Sequence, residues 1–368
     1  MYLEARVSAG AALLAALGLV VYRLYLHPLA RFPGPKLAAA TKWYEFWYDV
    51  LVPPGGQFSA RVERLHDQYG PIVRINPQEL HIRDPDMYEQ VYASSTKRDR
   101  WYNAARMTGK TGDSFSTIPH DVHRRRRTAN GPIMARRMVN VKEGIVAGNA
   151  AALAANLRQA ADREEVIDLG ILFLGYSLDV AGSFFFGRDI GAQGDLELAK
   201  KWYTVGRSMA RVTPIMKQFP SLAIVVARLP GAVVKMLWPD AAVIADLEEQ
   251  MLAWVLEHQA REKKASGLDV GTASSTLFEI IDSSKLPQAE KSASRYVDEG
   301  IGIIVAGSET TAKILTRTAY ELMTNPSVLK QAREELVNAA LQLGKPQLDL
   351  TDLEKLPYLV STLDLLLV

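Results

Sequence analysis

Cysteine is missing altogether from the 368 residues. Its absence excludes disulfides, CxxC redox pairs, cysteine zinc sites, iron–sulfur clusters and any thiolate ligand to a metal from within this sequence. Histidine is scarce, and His27, His66, His81, His120, His123 and His258 show no HExxH or related spacing, so no metal site rests on them. Neither sign of charge is in excess: the net charge of +2 selects no partner. The chain also lacks a GxxxxGK[ST] phosphate loop and a GxSxG nucleophile elbow. Gly300-Ile301-Gly302 does not complete a dinucleotide fingerprint, because polar residues rather than a buried strand precede it. There is no internal repeat and little strand-type alternation. What is present is a hydrophobic fraction of 48% against 23% charged, the balance of a folded protein with a substantial core.

From Val7 to Tyr22 no charge interrupts a run of Ala, Leu, Val and Gly, and Leu24-Tyr25-Leu26 resumes it after Arg23. With Arg23 snorkelling to the interface, these roughly 20 residues can cross a bilayer. A cleaved signal peptide would be shorter and end in small residues, whereas Arg23, His27, Arg31, Lys36 and Lys42 follow here. The reading is one uncleaved transmembrane anchor over 1–26. Positive charge behind the span leaves the body cytosolic. Phe32-Pro33-Gly34-Pro35 cannot continue a helix, so 27–42 is expected to be a stiff Pro/Gly linker to a body over 43–368.

The body reads as mainly helical, with helical patterns at Gln57 to Tyr69, Asp84 to Ala93, Val139 to Ala161, Val166 to Phe186 and Ala242 to Ala265. Ile72 to Asn76 and Glu79 to Ile82 alternate about a proline turn and predict a small hairpin. Lys264 to Ser275, rich in Gly, Ser and Thr, is expected to be the least ordered stretch. The proline-broken apolar run Phe219 to Val226 suits a membrane surface, the cover of an apolar pocket or ordinary core.

The strongest signal is VDEGIGIIVAGSETT, Val297 to Thr311, inside a helix expected to start near Ala289 and end at Thr324. Each mid-helix glycine costs about 1 kcal/mol relative to alanine, so Gly300, Gly302 and Gly307 need a compensating reason. Gly302, Ala306 and Thr310 recur every four residues and form a strip along which a flat ligand could approach the backbone. Close helix packing with nothing bound would use the same strip. At its end Glu309 and Thr310 place a carboxylate beside a hydroxyl, a pair able to relay protons, with water admitted by a local break in the helix.

His120-Asp121-Val122-His123-Arg124-Arg125-Arg126-Arg127 is the densest positive charge. It reads as a solvated helix face, as a nucleic-acid patch, or as inward arginines gripping an anionic group.

These pieces, in this order, resemble the cytochrome P-450 family, and closely its fungal microsomal, trichodiene-oxygenase-like members. The likeness runs from about Tyr22 to Asp364 and includes HPLARFPGPKLAAAT with WYEFWYD, RLHDQYGPIVRINPQELHI, HDVHRRRR, AGSETT, ELMTNPSVLKQAREEL and LEKLPYL. It implies a mainly α fold, a helical prism with a small sheet behind one transmembrane helix, and haem b lying against the AGSETT helix. Glu309 and Thr310 match the family's proton-delivering acid and threonine, Ala306 and Gly307 the pair against the haem, Arg124 the arginine that pairs with a propionate. His120 stands where tryptophan is common. The resemblance further implies electrons from NADPH through a partner reductase, a lipophilic small-molecule substrate of the secondary-metabolite type, and residence in the endoplasmic reticulum membrane.

In the family, LPYL is followed by an ExxR helix and a cysteine loop that ligates iron. Counting on from Leu356-Pro357-Tyr358-Leu359, the glutamate falls at Leu365 and the arginine at Val368. The expectation is therefore a P-450 domain incomplete at its C-terminus, with apolar faces of the AGSETT helix left uncovered. The functional expectation is a haem-dependent monooxygenase inserting one oxygen atom from O₂. The alternative is a non-catalytic remnant that binds no thiolate-ligated haem, and a weaker one is a structural membrane protein with small-residue packing.

Overall fold

A computed structural model describes residues 2–92, 96–239, 242–262 and 275–367. The chain forms two compact units, one of residues 1–109 with 209–227, the other of 110–208 with 228–368.

The first unit begins with α1, Tyr2–Val21, which widens into a π-helical turn over Tyr22–Leu26. The stretch Arg6–Leu26 is long and apolar enough to cross a membrane, and none of it is buried within the protein. Arg23, at the end of this stretch, turns back onto the body. Its Nη1 donates to the carbonyl of Ala40 at 2.8 Å, while its own carbonyl accepts from Arg74 Nη1 at 2.8 Å. The reason is the turn at Pro33-Gly34-Pro35, which is stapled to the body: the Arg74 amide donates to Pro33 O at 2.7 Å. Behind the turn, α2 (Lys36–Ala40) buries Ala38, Ala39 and Ala40, so the expected linker is in part core.

Helix α3, Phe58–Tyr69, turns Phe58, Val62, Leu65 and His66 inward, a four-residue periodicity that the sequence shows openly. It packs on the antiparallel hairpin of β1 (Ile72–Asn76) and β2 (Glu79–Ile82), where Ile72 faces Ile82 and Arg74 faces Leu80, with a bulge at Ile75. A side chain on Gly34 would lie 2.3 Å from the carbonyl oxygen of Arg74, an immovable backbone atom. Gly34→Ala should therefore cost about 1–3 kcal/mol, read as a lower urea midpoint; an unchanged midpoint would show that the turn is free to move.

In the second unit the order is α4 (His120–Asn130), α5 (Glu143–Asp162), α6 (Leu169–Phe186), α7 (Leu196–Gln218, of which the part from residue 209 belongs to the first unit), α8 (Ala242–Glu262), α9 (Leu277–Asp282), α10 (Ala293–Thr324), α11 (Pro326–Leu343) and α12 (Pro357–Leu367). The expected helix from Val139 is broken at Lys142, whose buried ammonium donates to Ser275 O at 2.8 Å and to Phe184 O. The one from Val166 starts later, because the Asp168 carboxylate caps the amides of Gly170 and Ile171. The run from Asp84 splits into a 3₁₀ turn, Pro85–Met87, and the short helix Tyr88–Tyr92. Of Lys264 to Ser275, all but Ser275 lies outside the described residues, as do Ala93 and Lys263 to Ala265.

The core of this unit gathers Leu178, Met251, Leu277, Ile281, Tyr296 and Ile304, each fully enclosed. Aliphatic burial of this kind contributes roughly 1.5–3 kcal/mol per side chain. Helix α10 runs through the core, flanked by α6 and α8.

Candidate active site

Helix α10 begins where Ser292 accepts from the Arg295 amide, and it continues unbroken for 32 residues. No local gap opens beside Thr310. Its hydroxyl instead donates to Ala306 O at 2.8 Å, in the same way that Ser308 bonds Ile304 O and Thr311 bonds Gly307 O. Such back-bonding satisfies the hydroxyl without interrupting the helix, which is why the expected break is absent.

The three glycines serve different ends. A side chain on Gly300 would come within 2.6 Å of Met251 Sδ, so this glycine admits α8 into the core. Gly302 faces Asp113, 3.8 Å from where its side chain would begin. Gly307 meets nothing within 4 Å, and Ala306 and Thr310 beside it are exposed. The strip thus divides into a covered half at Gly302 and an open half at Ala306, Gly307 and Thr310. Farther along, Ile314, Tyr320 and Met323 are also exposed, at 40%, 56% and 62%.

Glu309 points to a different side. It pairs with Lys313 at 2.8 Å, and a side chain on Gly206 of α7 would lie 3.1 Å from its carboxyl carbon, so that glycine lets α7 close on the acid. Thr310 and Glu309 are neighbours in sequence, but no hydrogen bond joins their side chains in this structure.

On α4 the arginine directed into the protein is Arg126, not Arg124. Arg126 Nε donates to Glu290 at 2.7 Å, and its Nη1 donates to Thr117 Oγ1 at 2.8 Å and to the carbonyls of Thr111 and Asp113. The guanidinium holds the Glu290 carboxyl below its ordinary range. Arg124 is exposed and makes no ion pair among the described residues, so its charge is available to an anion. His120 lies one turn before it, half-buried, with Nδ1 3.2 Å from Asp121.

Sequence reasoning missed the device that fixes α4 against α10. Glu299, 4% exposed, accepts from the Ser114 amide and hydroxyl at 3.0 Å each and from Asn130 Nδ2 at 2.7 Å, and lies 2.8 Å from Arg295. The three guanidinium nitrogens of Arg295 are buried without an in-line acceptor, so the pairing is one of charge more than of directed hydrogen bonds. Burial pushes the Glu299 carboxyl above its usual range, and Arg295 only partly offsets this. The sequence signal was an arginine and a glutamate four apart in an apolar helix.

The cytochrome P450 family model matches residues 35–364. The chain belongs to the cytochrome P450 family. It is 36% identical over 349 residues to the tryptophan 6-hydroxylase fscE of Fusarium equiseti, covering 95% of this chain and 67% of that protein. It is 34% identical to the N-acetyltryptophan 6-hydroxylase ivoC of Emericella nidulans and 34% identical to the conidiogenone synthase PchP450 of Penicillium rubens, again across 67% of each relative. The P450 family implies a haem cofactor, a reductase and a small-molecule substrate.

Several residues of this P450 chain suit haem. A flat macrocycle needs a helix face with no side chain standing above it, which the open half of the strip offers at Gly307. Its carboxylates need an uncommitted cation, and Arg124 is one. A thiolate ligand is not among these 368 residues. Among the described residues no three of His, Cys, Asp and Glu converge to hold a metal ion.

Proposed function

We propose that this chain contributes the oxygen-side half of a monooxygenase site that inserts one oxygen atom from O₂ into a lipophilic small molecule of the secondary-metabolite type. The observation that carries this reading is the uncovered segment Ala306-Gly307 with Thr310 on the same face and the acid Glu309 next in sequence. Haem b supplies the oxygen-binding iron when bound, with electrons delivered from NADPH through a reductase. Ala306 and Gly307 would lie against the macrocycle. Arg124, with His120, would hold a propionate through a charge-assisted hydrogen bond. Thr310 would exchange its bond to Ala306 O, worth about 1 kcal/mol, for one that hands a proton inward, and Glu309 would replenish it once it has left Lys313 and taken up a proton from solvent. Residues 1–26 anchor the chain in the endoplasmic reticulum membrane as a single span, 27–42 link it, and 43–368 form the cytosolic body.

The test is a titration of the purified chain with haem b, followed by Soret absorption. Saturable binding is expected, about tenfold weaker in Arg124→Gln, a change appropriate to one charged hydrogen bond, and lost in Gly307→Leu, which should not harm the helix itself. Absence of saturable binding, or binding indifferent to both changes, would favour the reading of a non-catalytic remnant.

A further inference from the structure

A cleft of about 640 Å³ lies in the second unit between the first turns of α7 and those of α8, and no residue of α10 lines it. Its floor is apolar, built from Ile190, Leu198, Trp202, Val243 and Leu247. Trp202 is only 6% exposed, yet its indole N–H has no hydrogen-bond partner among the described residues and is not sealed from solvent. A ligand acceptor can therefore take the place of the water that this N–H meets.

The charges at the rim are mostly spent. Lys200 pairs with Glu197 at 2.7 Å, and Asp246 pairs with Lys235 at 2.7 Å. Lys201 lines the same cleft and has no ion pair among the described residues. One ammonium without an ion pair and one indole N–H without a protein partner, on residues that line an apolar cleft, make a recognition set for a single negative charge carried on an apolar body. A dianion would bring a second charge toward Glu197 and Asp246. The volume falls within the range of small-molecule sites.

We infer that this cleft is a second ligand site, separate from the α10 face, that takes an apolar monocarboxylate. The carboxylate accepts from Lys201 and from the Trp202 indole, and the apolar part lies on Leu198, Val243 and Leu247. Occupation ties α7 to α8 without touching Glu309 or Thr310.

The test uses the full chain in lipid nanodiscs, labelled with 5-fluorotryptophan at its six tryptophans, and naphthalene-2-acetate as probe. A saturable ¹⁹F shift is expected for one resonance, identified by its loss in Trp202→Phe. The uncharged naphthalene-2-acetamide, and the acid added to Lys201→Gln, should each bind about tenfold more weakly, the discrimination expected of one charged hydrogen bond. Lys201→Gln is a surface change and leaves the fold intact should Trp202→Phe not. Equal affinity for acid and amide, no shift of the Trp202 resonance, or shifts confined to the other tryptophans would each overturn the assignment.

Discussion

Arg295→Leu should destabilise the second unit by about 3–5 kcal/mol, the cost of leaving a buried charge without its partner. Glu299 cannot escape to water, and the Ser114 and Asn130 bonds that hold it come from elements fixed elsewhere. Adding Glu299→Gln to that variant should recover part of the loss, because the charge is gone and the amide oxygen still accepts from Ser114, while the amide nitrogen that replaces the second oxygen gives up the bond from Asn130 Nδ2. Urea unfolding followed by circular dichroism measures both; a single variant within about 1 kcal/mol of wild type would mean the pair is solvated. The pH dependence has a definite sign. Burial raises the Glu299 carboxyl above its unfolded value, so the folded state favours the proton. The associated stability is present below the unfolded pKa and is lost as pH rises through the folded one. Removing Arg295 raises the carboxyl further, and the deficit of the variant should therefore shrink on acidification.

In a haem-loaded protein that joins this chain to a segment supplying the thiolate ligand, Thr310→Val should reduce oxygenated product about 100-fold, the usual scale of a positioned proton donor. Valine keeps the shape and removes only Oγ1, so substrate binding should hold. Thr310→Ser should keep most activity, since the hydroxyl returns. Product formation by the valine variant at the wild-type rate would remove Thr310 from the reaction and leave its bond to Ala306 O as its whole role.

Much of the fold was legible because it follows from periodicity. The Ile72–Ile82 hairpin and helix α3 stand where alternation and four-residue spacing put them. The end of α10 at Thr324 follows from Asn325-Pro326, which cannot continue it. The break at Lys142 was hidden, because it depends on carbonyls of Phe184 and Ser275, distant in sequence. The site divides in the same way. Sequence placed Ala306, Gly307, Glu309 and Thr310 on one helix, but not the commitment of Glu309 to Lys313. Among four consecutive arginines, nothing local distinguishes Arg126, which is bound to Glu290, from the exposed Arg124; only the partner on the far side decides. The spacing of Arg295 and Glu299 was open to view, but the Ser114 and Asn130 contacts to Glu299 were not, because they lie up to 185 residues away.

The joint at Arg23 has a mechanical meaning. A helix joined to its body through a flexible segment lets that body wobble, but here the residue at the joint is gripped from both sides, by Ala40 through its guanidinium and by Arg74 through its carbonyl. Swivelling about that point breaks both contacts, at a cost of about 3 kcal/mol. The tilt of the first helix therefore sets the attitude of the hairpin behind it, as a mast fixes the heading of a vane bolted to it.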